Sequence, residues 1–286
     1  MKKFLLATAA VLASTSAYAA DYAVVHPFYT PTKGKFISTT AFDYEHSFSR
    51  AKDWDMKETD FEKTFTETVK FGVTEEVQVG LSASRGWGRD KDKIPGLIGN
   101  VKGIENDWKF DIGYNVINDG KAFLNVDLAY SQEVIKFSPR REEMGVAIGN
   151  DHNKYIDLTV LGGYNFDDVT VFGSVNYNRQ VDSIKWQEKD KIWTLEAGAY
   201  KAFNDQISAR ASLSAEIDKT KDSEERTYWL NAGVDYSISK KMAVSAKASY
   251  MLDNDVDDHP LFDVDTHSAY KLGVDFKIEF LCKIRF

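Results

Sequence analysis

The feature that most constrains this chain is a two-residue alternation of apolar and polar side chains, carried through paired segments joined by short polar turns. From Trp108 the apolar positions are Trp108, Phe110, Ile112, Tyr114 and Val116. A turn at Asn118-Asp119-Gly120 follows, and the chain returns with Ala122, Leu124, Val126, Leu128 and Tyr130 on one face. Asp-Gly between two alternating runs is a strong hairpin signal, because such turns need backbone conformations that glycine adopts without strain. The unit recurs as Ile156 to Phe166 with Val169 to Tyr177, Trp193 to Ala199 with Ile207 to Ile217, and Tyr228 to Ile238 with Met242 to Tyr250. Upstream, Phe65 to Val73 leads through Thr74-Glu75-Glu76 into Val77 to Ala83. A first strand fits Phe36 to Phe48, and a last one starts near His267.

These segments predict about twelve strands. The short turns then fall on one side together with both termini, and the longer loops, roughly 49–59, 86–107, 132–154, 179–191, 218–226 and 253–267, fall on the other. An even number of strands with one-sided loop lengths is the pattern of a transmembrane antiparallel up-and-down β-barrel. Each segment also supplies at least the ~9–11 residues that a tilted membrane strand requires. No apolar run approaches the ~20 residues of a membrane helix. The second strand fits least well, since its outward phase contains Lys63 and Glu67, and a bulge or a shifted register is expected there.

The ends read differently. Lys2 and Lys3 precede a short apolar run, Phe4 to Ala13, and Ala17-Tyr18-Ala19 supplies a small-x-small cleavage site, so residues 1–19 are expected to be an export signal. Residues 20–35 form an N-terminal periplasmic segment, 36–280 the barrel, and 281–286 an extension of its last strand. Losing Lys2 and Lys3 takes the net charge from −8 to −10. An acidic surface does not suit a phosphate backbone, so nucleic acid is not an expected partner. Cys282 is the sole cysteine, so no intrachain disulfide supports the fold.

In a soluble barrel the apolar face would point inward; in a membrane barrel it meets lipid, and the polar phase lines the lumen. The aromatic positions favour the membrane case. Tyr130, Tyr177 and Tyr250 close successive strands at one level, and Phe71, Phe166, Phe203 and Tyr236 lie near the short turns, as two interfacial girdles would. The polar phase then places Asp43, Glu45, Asp111, Asp127, Asp157, Glu196, Glu216, Asp235 and Asp275 in the lumen. Lys70, Lys109, Arg210, Lys247, Lys271 and Lys277 join them there. So many charges require water or mutual pairing. Twelve strands lie between barrels filled by side chains and those holding an open aqueous channel, so both a narrow pore and a salt-bridged interior are open. The acidic excess favours cations or neutral polar solutes.

In the last strand Tyr270, Leu272, Val274, Phe276, Ile278 and Phe280 alternate with Lys271, Gly273, Asp275, Lys277 and Glu279. This resembles the C-terminal signal of Gram-negative outer-membrane β-barrel proteins, which ends in a terminal Phe. The run Phe71 to Ser82 likewise resembles the strand-turn-strand units of porin-like families. The resemblance is to an architecture and covers nearly the whole mature chain. It implies an outer-membrane location, contact with lipid and lipopolysaccharide, and recognition of Tyr270, Phe276, Ile278 and Phe280 or Phe286 by the barrel-assembly machinery. The chain departs from the pattern by continuing six residues beyond Phe280 to Phe286.

Catalysis finds little support. The histidines His26, His46, His152, His259 and His267 stand in no zinc-binding or nucleophile motif. Outer-membrane phospholipases are also twelve-stranded, yet the one His-Ser pair, His46-Ser47, is followed by Phe48 where those enzymes carry Asn-Gly. Asp253, Asp255 and Asp257 resemble the start of a calcium loop but lack its glycine and its closing acid, so a solvated acidic loop is the preferred reading. No cofactor is implied. The leading expectation is a porin-like passive channel for small hydrophilic solutes; a non-conducting structural or adhesive barrel and a lipid-active enzyme are the alternatives. Alanines at 197, 199, 209 and 211 hint at a protein contact, and the oligomeric state stays open.

Overall fold

The computed structural model describes residues 28, 30–51, 56–94, 97–137, 151–166, 169–182, 189–220, 223–257 and 266–281. The expected export signal, Cys282 and Phe286 therefore lie outside the described residues. Twelve strands follow one another: β1 (Lys35–Ala51), β2 (Met56–Gly72), β3 (Val77–Ile94), β4 (Leu97–Asn118), β5 (Ala122–Phe137) and β6 (Asp151–Phe166). They continue with β7 (Val169–Asp182), β8 (Lys191–Ala202), β9 (Ile207–Lys219), β10 (Glu224–Ser239), β11 (Met242–Asp257) and β12 (Thr266–Leu281). Each pairs antiparallel with its sequence neighbours, and β12 closes on β1 from Lys35↔Leu281 to Arg50↔Thr266. Closure leaves no sheet edge, which is the only way a sheet can cross hydrocarbon with its backbone groups satisfied.

The apolar phase faces outward. Leu213 is 58% exposed, Leu128 54% and Phe42 48%, whereas inward Asp235 and Ser245 are each 1% exposed. A soluble barrel shows the opposite order. Aromatic pairs mark both rims of the exposed belt. Trp108–Tyr130 (5.5 Å) and Tyr177–Trp193 (4.5 Å) lie toward the long-loop end, with Phe36–Phe71 (4.5 Å) and Tyr164–Phe166 (4.8 Å) near the short turns. Among the described residues no helix is long and apolar enough to cross a membrane; strands make the crossing.

The short turns are shaped by their own side chains. Asp119 accepts hydrogen bonds from the backbone N–H groups of Lys121 (2.9 Å) and Ala122 (2.7 Å), while Gly120 takes φ 88°. Asn204 does the same for Gln206 and Ile207, each at 2.8 Å. Both are side chains mimicking a backbone turn.

Three expectations change. The regions 49–59 and 86–107 are largely not loops, because β1 and β2 run on to Ala51 and Met56, and β3 and β4 stay paired out to Ile94↔Leu97. The expected bulge in the second strand is absent: β2 keeps an unbroken register with β1 and β3, and Glu67 does face outward. Its carboxylate is satisfied locally, accepting hydrogen bonds from the outward hydroxyls of Ser38 (2.5 Å) and Thr40 (2.6 Å). Asp253, Asp255 and Asp257 belong to β11, so the start of the expected acidic loop is extended strand. The bulges fall elsewhere, around Val116, Val181, Ile238 and Leu252.

Candidate functional site: the barrel lumen

Asp43, Glu45, Lys70, Lys109, Asp111, Asp127, Asp157, Glu196, Arg210, Asp235, Lys247, Lys271 and Asp275 all lie on the inward phase of their strands. A closed barrel of about twelve strands, tilted and ~4.8 Å apart, has a backbone diameter of about 24 Å, so inward side chains from non-neighbouring strands meet.

In the short-turn half and the middle, acids and bases pair along the inner wall, between adjacent or next-but-one strands. Lys247 on β11 reaches Asp43 on β1 and Asp275 on β12, both at 3.0 Å. Lys70 approaches Asp111 (3.8 Å), Lys109 approaches Asp157 (3.6 Å), and Lys35 approaches Glu279 (3.4 Å). Lys277 stands near Arg210, Asp235 and Asp275. Amides and hydroxyls fill the gaps: Asn178 donates to Asp157 (2.6 Å), Asn125 to Asp127 (3.2 Å) and Ser212 to Glu196 (2.5 Å). Buried ions are tolerable only with such partners.

The outer half is different. Glu62, Glu105, Asp107, Glu133 and Glu216 join Glu45 there, and Lys271 is the cation among them, 3.2 Å from Glu45 and over the Trp229 ring. Oxygens of Glu105, Asp107 and Glu133 lie within 4.8 Å of one another. Neutral donors moderate their repulsion: Ser84 to Asp107 (2.9 Å), and Asn153 (2.7 Å) and Tyr155 (3.1 Å) to Glu133. The lumen thus carries an acidic tier above a charge-balanced one. Apart from Glu45, Glu216 and Lys271, this tier is not expected from the strand alternation, because Glu105, Asp107 and Glu133 fall in the expected loops 86–107 and 132–154 and Glu62 lies near the start of the expected second strand. A signal was present, since Glu105, Asp107, Lys109 and Asp111 continue one charged phase without a break.

Between the tiers lies a cavity of about 150 Å³, walled by Thr64, Thr66, Thr68, Ser82, Lys70 and Asp111 on one side and Glu133, Tyr155 and Asn178 on the other. It holds a few waters or one small polar molecule. At the short-turn end the lumen turns apolar. Phe123, Leu161, Phe172 and Tyr200 point inward there and form a cluster with Phe28.

The remaining candidates are placed as follows. His46 stacks on Tyr270 outside the barrel (5.2 Å), while Ser47 occupies the opposite, inward phase, so the pair is split across the wall. On β12, Tyr270, Phe276, Ile278 and Phe280 share the outward phase, and Phe280 pairs with Phe36 at the seam. Asp253 and Asp255 are exposed and outside the acidic group just described.

A closed ring of twelve strands with an apolar outer belt and a hydrogen-bonded polar interior is the architecture of outer-membrane β-barrels, and it places this chain in the outer membrane. Solved structures agree on the fold. An outer membrane channel from Pseudomonas putida F1 is similar with a TM-score of 0.58 at 11% identity, over 93% of this chain and 100% of that one. The translocator domain of the autotransporter NalP from Neisseria meningitidis has a TM-score of 0.55 at 14% identity, over 86% and 88%. The transport unit of the autotransporter AIDA-I from Escherichia coli has a TM-score of 0.55 at 11% identity, over 87% and 91%. No protein-family model matches the sequence, and no curated protein matches it either.

Proposed function

We propose that the barrel is a passive, cation-preferring channel for small hydrophilic solutes. The observation that carries this reading is the separation of lumen charge into an acidic outer tier and a balanced inner tier, with a polar cavity between them. An acidic vestibule raises the local concentration of cations, and the balanced tier below presents hydroxyls, amides and paired ions along which water and small polar solutes exchange hydrogen bonds. No step in this reading needs catalysis or a cofactor. The dense pairing around Lys247 favours one other reading, a closed barrel that serves the membrane mechanically or displays its loops. Assembly in either case runs through the outward aromatic phase of β12, as the barrel-assembly machinery would read it, with lipid and lipopolysaccharide around the belt.

Single-channel recording in planar bilayers decides between the two. The channel reading expects openings whose reversal potential in a salt gradient is shifted toward the cation. It also expects that shift to shrink in Glu105→Gln/Asp107→Asn/Glu133→Gln. A folded barrel that passes no current as wild type, with that triple change, and after displacement of the segment before β1 would refute it.

A further inference from the structure

We infer that Phe28 and Thr30–Gly34 form a strap that gates the lumen at its short-turn mouth, with Phe28 as the latch; this rests on the channel reading above. The strap is anchored where the barrel begins. Gly34 donates its N–H to the Gly72 carbonyl (2.9 Å), Lys33 bridges to Gly72, and Gly34 turns the chain into β1 with φ 76°. From there it runs inward past β4, where Asn115 donates to the Thr30 hydroxyl (3.3 Å), and Phe28 lies against the far wall. The Phe28 ring is 2% exposed and packs on Phe123 of β5 (4.8 Å), Phe172 of β7 (4.9 Å) and Tyr200 of β8 (6.4 Å).

The socket is built for this ring. Phe123, Leu161, Phe172 and Tyr200 are apolar residues on a largely polar inner face, and each sits near the short-turn end of its strand. Gly163 and Gly198 make room for them: a Cβ at 163 would overlap the Phe123 ring, and one at 198 would lie 2.8 Å from the Phe172 ring. At the other end, a side chain at position 72 would overlap the Pro31 and Thr32 carbonyl oxygens, so glycine there lets the strap lie close. A lumen wall without the strap would hold an apolar pocket open to water, an unfavourable surface that the latch covers. Phe28, Thr30 and Pro31 are the buried side chains of the strap, and the contacts that hold it lie outside the strand-to-strand ladders of the barrel, so it can leave while the sheet stays intact. Its departure opens the path from the balanced tier to the mouth.

The test compares the full-length protein with Phe28→Asp and with Gly72→Val, which dislodge the strap from opposite ends, after heat-dependent gel mobility has shown each to be folded. Strap release is read independently by maleimide labelling of Thr30→Cys in a Cys282→Ser background. The expected result is faster labelling in both variants, together with a rise in mean current of about tenfold or more, as a shifted closed–open equilibrium gives. A Thr30→Cys/Asn115→Cys pair in the same background, oxidised to a disulfide, should suppress current, and a reductant should restore it. Faster labelling without a change in current overturns the gate and leaves a conducting wild type as a channel. Silence in the wild type and in both released variants overturns the channel reading and the gate with it. A disulfide that forms without altering the wild-type current overturns the gate alone.

Discussion

Replacing Leu213 with arginine tests the polarity on which every later step depends. Leu213 stands midway along β9, between Ile207 and Lys219, with 58% of its surface exposed on the outward face. If that surface meets hydrocarbon, removing the leucine forfeits about 1–2 kcal/mol of transfer energy, the exposed share of what full burial of a leucine is worth. A guanidinium at the midplane of a membrane barrel raises the total cost to about 2–4 kcal/mol. The neighbour Ser214 points inward and is the matched control. Ser214→Arg meets lumen water and the acidic tier beside Glu216, and its expected cost is within about 1 kcal/mol. Urea titration of the two variants folded into lipid vesicles measures the difference, with Leu213→Arg lowering the midpoint by about 1 M and Ser214→Arg leaving it near wild type. The reverse order, with a tolerant Leu213 and a damaging Ser214, would mean that the apolar face is not in lipid and would refute the membrane assignment.

Glu67 in the outward belt should depend on its two hydroxyl partners: Ser38→Ala/Thr40→Ala is expected to cost about 3–6 kcal/mol in the wild type and little in Glu67→Leu, because hydrogen bonds to a charged group are worth roughly 1.5–3 kcal/mol each. A double-mutant cycle by urea unfolding in vesicles checks this, and purely additive costs would contradict it. The turn at Asp119 should be sensitive to acid, since the backbone N–H groups of Ala122 and Lys121 hold its carboxyl below the ordinary carboxylate range. A folded-state value lower than the unfolded one gives stabilisation that is present above about pH 4 and lost as pH falls through the depressed value. Hydrogen exchange at Ala122, corrected for intrinsic rate, should speed up in acid, while Ile207 in the uncharged Asn204 turn should not change. Gly198→Ala should destabilise the barrel by about 1–3 kcal/mol, because the new methyl lies 2.5 Å from the Ala211 carbonyl oxygen and strands do not move apart cheaply. A thermal or urea midpoint equal to wild type would show that β8 and β9 can yield there.

The barrel was legible because lipid imposes its rule on every strand at once. An outward position must be apolar whatever its neighbours do, so Leu124, Val126, Leu128 and Tyr130 keep period two without needing a tertiary contact to explain them. Strand length was less legible. Beyond the membrane the outward face meets water and the constraint vanishes, so residues 86–94 read as loop although β3 continues through them in register with β4. The same loss of signal hid the acidic tier. Glu105 and Asp107 flank Asn106, where the outward apolar alternation breaks, and the inward charged phase is what marks them as strand. Glu67 misled in the opposite direction. It broke the outward rule and seemed to require a bulge, yet the rule governs satisfied polarity rather than residue type. Ser38 and Thr40 satisfy the carboxylate across the β1–β2 pair, a contact that no single-strand pattern can reveal.

The inward aromatic cluster follows from the same logic seen from the other face. Phe123 precedes the outward Leu124, Phe172 follows the outward Val171, Leu161 follows Val160, and Tyr200 follows Ala199. In each case two apolar residues stand side by side where strict alternation requires a polar one. A lone break of this kind is noise in a pattern of some hundred positions. Four breaks at the short-turn ends of four consecutive strands are a patch, and an apolar patch inside a wet lumen is stable only when something apolar covers it. That places a demand on the chain outside the twelve strands, and the segment before β1 meets it with Phe28. The breaks in the alternation and the residue that answers them were thus both written in the sequence, but the match between them depends on barrel closure, which brings β5 to β8 opposite the seam where the strap begins.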